Sequence, residues 1–166
     1  MDADQPIELL RHHAGLIAKV AHAYCKSPSD REDVVQEIAV QLWRAWDRYD
    51  PRFAESTFVY RIALNVAISF HRRERRHRSR RESLDAHAIT LAAPSTREPS
   101  EAVERLLRCI DGLPPLDKAL VLLDLDDQDH ATIADVLGLS VSNVGTKLHR
   151  IRARLRTTLA LDGDAP

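Results

Sequence analysis

Apolar residues in the first part of the chain recur in a three-and-four rhythm. Ile7, Leu10, Ala14, Ile17, Ala21 and Tyr24 make one stripe, which predicts a helix over residues 6–26. Ser27-Pro28-Ser29 interrupts it, and Ser29-Asp30-Arg31-Glu32 has the form of a capping box, with Ser29 as N-cap. The helix so opened is expected to bury Val35, Ile38, Leu42, Trp46 and Tyr49. It would expose Asp33, Glu37 and Gln41, with Gln36 and Arg44 alongside, before Asp50-Pro51 ends it. A third helix from about Thr57 sets Phe58, Ile62, Val66 and Phe70 on an inner side, and Arg61, Asn65, Arg72 and Arg75 near the other.

Residues 82–100 hold Ala, Ser, Thr and two Pro with weak periodicity, the composition of a flexible linker. From Glu101 the helical pattern resumes, with Val103, Leu106, Leu107 and Ile110 expected to pack. Gly112 then stops the helix and Pro114-Pro115 restarts the chain. Leu116–Leu125 reads as the next helix. Asp129 caps a short one carrying Ile133, Ala134 and Leu137, and Gly138-Leu139-Ser140 makes a tight turn with Ser140 capping the last. The fold class that follows is all-α: two small helical domains, 1–81 and 101–160, joined by the linker.

The last two helices have the form of a helix-turn-helix, from about Asp129 to Arg156. Val144, Leu148, Ile151 and Leu155 form a buried stripe, while Asn143, Lys147, Arg150 and Arg154 follow spacings of four, three and four on another face. Ser142 and Thr146 flank that face near the helix N-terminus, the part that meets base edges in such units. Asn143 suits adenine and Lys147 guanine in a major groove, and the later arginines suit phosphates. Gly145 interrupts the helix at a cost of about 1 kcal/mol relative to alanine.

Composition adds a segregation of charge that the net value of −1 hides. His71–Arg81 holds seven Arg, two His and one Glu; Val141–Arg156 holds five Lys or Arg and no acid. Asp111–Asp135 between them holds seven Asp against one Lys. Two local basic runs on patterned helices favour a nucleic-acid partner, because phosphate neutralisation is local. The acidic stretch reads as solvated surface, or as a segment that folds against a basic patch and holds the free protein inactive.

No apolar stretch approaches the ~18 residues of a membrane span, and Met1-Asp2-Ala3-Asp4 lacks the basic start of a signal peptide. Cys25 and Cys109 stand far apart without a CxxC pattern, so reduced thiols and a cytoplasmic location are expected. His22 and Cys25 lie one helical turn apart, with His12 and His13 nearby, but there is no second ligand pair at zinc-like spacing. No metal, cofactor or catalytic residue is predicted. Trp43 and Trp46 read as packing residues, Trp43 bordering a partner surface at most.

These segments also resemble a known family. The run from His130 to Arg150, His-Ala-Thr-Ile-Ala-Asp-Val-Leu-Gly-Leu-Ser-Val-Ser-Asn-Val-Gly-Thr-Lys-Leu-His-Arg, looks like region 4.2 of the extracytoplasmic-function (group 4) sigma factors of the sigma-70 family. Asp33-Val-Val-Gln-Glu with Leu42-Trp43-Arg44 and Tyr49-Asp50-Pro51 looks like their region 2.2. Phe58-Val-Tyr-Arg-Ile-Ala-Leu-Asn-Val-Ala and the arginine cluster look like regions 2.3 and 2.4. The resemblance covers about residues 7–80 and 101–158. It departs at Phe58, where the family usually carries Trp, and at Gly145, where it usually carries a basic residue.

The resemblance implies a protein that binds core RNA polymerase and directs it to promoters. Region 2 would meet the clamp of the largest subunit through Asp33, Gln36, Glu37, Gln41 and Arg44. It would meet the −10 element through a base pocket at Phe53–Thr57 that includes Phe53 and Ser56, and through Tyr60, Arg61, Asn65, Arg72 and Arg73 along the melted strand. Region 4 would meet the flap of the other large subunit, and the −35 element through Ser142, Asn143, Thr146, Lys147, Arg150 and Arg154. An anti-sigma factor is the further partner implied, with no direct membrane insertion. An ordinary helix-turn-helix regulator with a ligand-sensing or dimerising N-terminal half is the main rival. A DNA enzyme such as a recombinase fares worse, since Ser56 and Ser69 lack the surroundings of a nucleophile.

Overall fold

The computed structural model describes residues 5–81 and 101–163; the predicted linker, 82–100, lies outside them. The described residues are helical, without strands. The chain divides into two compact units, residues 1–88 and 89–166.

In the first unit the predicted single helix is two, α1 (Gln5–His12) and α2 (Ala14–Tyr24). His13 leaves helical geometry at φ −103°, ψ 16°, although the i→i−4 bonds on either side, His13 N to Leu9 O and Ile17 N to His13 O, persist. An apolar stripe that continues across such an excursion cannot register it. The buried residues are Pro6, Leu9, Ile17, Val20, Ala21 and Tyr24, whereas Ile7 is exposed.

α3 (Pro28–Ala45) begins earlier than the capping box suggests. Ser27 is the N-cap, its Oγ accepting from Asp30 N at 3.0 Å, and Pro28 stands at the first helical position. Proline has no N–H to satisfy there and its fixed φ suits the helix, so Ser-Pro starts this helix rather than breaking the chain. Arg31 braces the preceding corner by donating to the carbonyls of Cys25 and Lys26 at 3.2 and 3.1 Å. The core row is Val34, Ile38 and Leu42; Val35 points outward. A 3₁₀ turn, Trp46–Arg48, follows, so Trp46 and Tyr49 leave the α3 line and are half-buried.

α4 (Glu55–Arg81) packs on both α2 and α3. Its buried residues are Thr57, Val59, Tyr60, Ala63, Leu64, Ala67 and Ile68. The predicted inner residues Phe58, Ile62, Val66 and Phe70 are only half-buried. Two partners bury two adjacent rows of α4, and the fully buried Ala63 and Ala67 leave room for close approach. Alanine scores weakly as apolar, so the stripe of large residues stood out instead of the row that packs.

In the second unit α5 (Glu101–Asp111), α6 (Pro115–Leu125) and α7 (His130–Leu137) each pack on α8 (Val141–Gly163). Leu120, Leu123, Ile133, Val144, Leu148 and Ile151 make its centre. On α5 only Ile110 is buried among the four residues expected to pack, and Val103 and Leu107 are exposed. The apolar face of α5 is wider than the surface that α6 and α8 offer it. The acidic stretch is partly built into the unit. Asp111 accepts from buried Lys118 Nζ at 3.0 Å, Asp124 pairs with Arg152, and Asp129 caps α7.

Candidate nucleic-acid and protein interfaces

The helix-turn-helix is built as its residue types require. Asp129 accepts from Thr132 N at 2.7 Å, and that bond holds its carboxyl below the usual carboxylate range. Gly138 ends α7 at φ 65°, ψ 37°, the left-handed conformation that favours glycine, while Leu139 N returns to Ala134 O at 3.0 Å. Ser140 Oγ then accepts from Asn143 N at 3.2 Å and opens α8. With Val144, Leu148 and Ile151 buried, Ser142, Asn143, Thr146, Arg150 and Arg154 are exposed and Lys147 half-buried. The unit thus presents one polar, cation-bearing edge of α8 to solvent.

In the first unit the residues expected at a melted strand fall into three places. Phe53 is exposed on the loop before α4, with the Arg61 guanidinium 6.0 Å from its ring centre. The loop is shaped by Asp50, which accepts from Arg52 N at 3.0 Å and pairs with its guanidinium, and by Tyr49 Oη donating to Phe53 O at 2.9 Å. Arg52 hydrogen bonding holds the Asp50 carboxyl below its usual range. Beneath, Trp46 stacks on Tyr49 at 5.2 Å between centroids and Phe58 closes on Tyr49 at 5.2 Å, so Phe58 serves the aromatic support of the loop.

Two expectations here need correction. α4 already begins at Glu55, so Ser56 and Thr57 belong to its first turn rather than to a loop pocket, and Thr57 is buried. Tyr60 is 5% exposed and packs inward. It faces the core because two rows of α4 are buried, and its ring offers no surface to a strand.

Asn65, Arg72 and Arg73 are exposed on α4. With Glu37 and Gln41 of α3 they line an open groove of about 570 Å³ floored by Ala45, Ile62 and Val66. The groove joins the two sets that sequence reasoning kept apart, the acidic-polar face of α3 and the basic side of α4. Gln41 Nε2 donates to Glu37 Oε1 at 2.7 Å along the groove wall. Asp33, Gln36, Glu37 and Arg44 are exposed on α3. Among them stand Val40, 44% exposed, and Trp43, 51% exposed, which the packing assignment of Trp43 missed. The signal lay in the spacing, since both are on the side of α3 opposite Ile38. Among the described residues no group of three or more His, Cys, Asp or Glu is arranged to hold a metal ion, and no helix is long and apolar enough to cross a membrane.

Comparison with known proteins matches both units. The family described as Sigma-70 region 2 matches residues 9–77, and the family described as Sigma-70, region 4 matches residues 103–155. The ECF RNA polymerase sigma factor SigE of Mycolicibacterium smegmatis is 29% identical over 157 residues, covering 92% of this chain and 61% of that protein. The RNA polymerase sigma factor CnrH of Cupriavidus metallidurans is 29% identical over 167 residues, covering 95% and 87%. Among solved structures, CnrH in complex with the cytosolic domain of CnrY gives a TM-score of 0.66 at 25% identity, covering 96% of this chain and 89% of that one. The Bartonella quintana sigma factor RpoE, in complex with the anti-sigma factor NepR, shares the fold at a TM-score of 0.75 and 14% identity, covering 96% and 99%. Two family matches in order, on two helical units that carry the expected motifs, take the place of the ordinary-regulator reading: the chain belongs to the sigma-70 family of RNA polymerase sigma factors, in its extracytoplasmic-function group.

Proposed function

We propose that the chain, which spans about three fifths of SigE and most of CnrH, binds core RNA polymerase in the cytoplasm and directs it to promoters as a specificity subunit without catalysis of its own. The observation that carries this reading is the pairing of two separate surfaces. One is the polar edge of α8 beyond an αL turn; the other is the arginine-lined groove beside the acidic-polar face of α3. In this reading Asp33, Gln36, Glu37, Gln41 and Arg44 meet the polymerase clamp, a face that is polar without being basic and so suits a protein partner better than DNA. Phe53, Ser56, Arg61, Asn65, Arg72 and Arg73 meet the −10 element, where an exposed aromatic and a basic track suit an unstacked base and single-stranded DNA. Ser142, Asn143, Thr146, Lys147, Arg150 and Arg154 meet the −35 element. The domain bounds that go with it are 1–81 and 101–160. RpoE solved with the anti-sigma factor NepR, and CnrH solved with the cytosolic domain of CnrY, support an anti-sigma protein as a further partner.

In vitro transcription with core polymerase, the full chain and a promoter library tests the reading. Transcripts that start at a shared upstream motif are expected, and failure to bind core or to start specific transcripts overturns it. Asp33→Arg with Glu37→Arg should weaken core binding, and retained affinity would remove the clamp face from the assignment.

A further inference from the structure

α8 carries a second ridge besides the one assigned to the −35 element. Gly145, His149, Arg152 and Arg156 recur at spacings of four, three and four, so they form one line along the helix, a line that starts one turn after Ser142 of the −35 set. It flanks the buried Val144-Leu148-Ile151 row on one side, as Asn143, Lys147, Arg150 and Arg154 flank it on the other. His149, Arg152 and Arg156 are exposed. Gly145 leaves a gap in the ridge, and His130, the first residue of α7, fills it. A Cβ at position 145 would stand 3.7 Å from both Cε1 and Nδ1 of its imidazole. Arg152 is engaged by Asp124, at 2.7 and 2.8 Å. One guanidinium nitrogen and the charge of Arg152 are thus committed to Asp124, so the donors on this flank that have no acidic partner among the described residues are His130, His149 and Arg156.

A helix seated in a major groove ~12 Å wide has a sugar-phosphate backbone on either side. The first helix of a helix-turn-helix crosses one of those backbones, and His130 begins that helix here. An imidazole carries an N–H donor in either tautomer, so it can hold a phosphate oxygen without further chemistry. Asp129 lies beside His130, but its carboxylate is committed to Thr132 N. We propose that His130, His149 and Arg156 form a second line of phosphate contacts, to the strand opposite the one held by Lys147, Arg150 and Arg154. The His130 imidazole lies beside Gly145 at a spacing that a methyl there would fill at ordinary contact, 3.7 Å. The proposal rests on α8 being the −35 helix and extends it to a two-sided grip.

The test uses the full chain assembled with core polymerase, on duplex fragments that this holoenzyme selects from a random promoter library. Neutral methylphosphonates replace single upstream phosphates in turn. His130→Ala with His149→Ala should lower affinity about tenfold, the scale of losing a charge-assisted hydrogen bond. The double variant should also become insensitive to methylphosphonate at one or two positions that weaken the wild type, with base preference unchanged. His130→Lys with His149→Lys should keep or raise affinity. An alanine variant with wild-type affinity and an unchanged methylphosphonate profile overturns the proposal alone. A wild-type profile flat across the whole upstream element overturns the assignment of α8, and the proposal with it.

Discussion

Arg152 on α8 donates through one guanidinium nitrogen to both carboxylate oxygens of Asp124 on α6, at 2.7 and 2.8 Å. The pair joins residues 28 positions apart and fastens the last helix to the centre of the second unit. Both side chains keep some contact with water, so it is worth about 0.2–1 kcal/mol by the scale of exposed pairs. Asp124→Ala should loosen α6 and α8 by that amount, and the difference should shrink in high salt. Both tryptophans, Trp43 and Trp46, lie in the first unit. Amide hydrogen exchange along α8, rather than tryptophan fluorescence, is the measurement that reads it.

Gly138 and Gly145 stand seven residues apart and should respond oppositely to alanine. Gly138 has φ 65° and no neighbour within 4 Å of an added Cβ, so Gly138→Ala incurs the left-handed backbone cost alone, about 1–2 kcal/mol. Gly145 is helical, and its added Cβ would make ordinary contact with the His130 ring at 3.7 Å. Gly145→Ala should therefore stabilise α8 by up to about 1 kcal/mol. Hydrogen exchange of the α7 and α8 amides measures both, and a loss of protection in Gly145→Ala would contradict the assignment.

Ser27 and Ser29 separate the cap that forms from the cap that the motif suggests. Ser27→Ala removes the acceptor for Asp30 N and should cost about 1 kcal/mol. Ser29→Ala, in the first turn, should lie within about 0.5 kcal/mol of wild type. Chemical unfolding followed by tryptophan fluorescence reads the first unit selectively, and equal costs at the two sites would count against Ser27 as the cap.

That pair also indicates what the sequence made legible. The second unit was read closely because its punctuation is chemically forced: Asp129, Gly138 and Ser140 each supply something that few other residue types can. The first unit was read in outline only. Val34 and Val35 are adjacent and equally apolar, so the pattern alone does not choose the inward one; packing on α2 and α4 does. Small Ala63 and Ala67 are fully buried on α4 yet contribute little to an apolar stripe, which is why the stripe of Phe58, Ile62, Val66 and Phe70 marks only the half-buried side. The groove between Glu37 and Arg73 depends on how α3 and α4 lie together, a relation that no local motif encodes.

Cys25 gives the first unit a dependence on alkaline pH. Burial pushes its thiol up to about 11, with Asp30 and then Glu74 adding to the rise and Arg31 opposing it. An ordinary thiol titrates near 8.5, so the unfolded chain releases this proton more readily than the folded one. The stabilisation is complete below that ordinary value and is lost as pH climbs toward 11. Unfolding followed by tryptophan fluorescence should give falling stability across this window, and Cys25→Ala should flatten the fall. Burial also raises the Tyr24 phenol, so Tyr24→Phe is the control that removes the loss at the upper end.

Trp43 is read from the sequence as a packing residue that borders a partner surface at most, and in the structure it lies on the surface. It is 51% exposed on the outward side of α3, one turn from exposed Val40, which has Gln36, Glu37 and Arg44 one turn away on the same helix. An exposed tryptophan set among charges has the form of an interface anchor, apolar at the centre and polar at the rim. Trp43→Ala should therefore weaken core polymerase binding by at least about tenfold, the scale of a moderate hot spot. It should leave the unfolding midpoint of the first unit nearly unchanged, with Trp46 fluorescence as the probe. Leu42→Ala, one position away and fully buried, should do the reverse, costing about 2–5 kcal/mol of stability. Competition binding against a labelled wild-type chain separates the two effects. A Trp43→Ala chain that competes as well as wild type would place the polymerase contact elsewhere on α3.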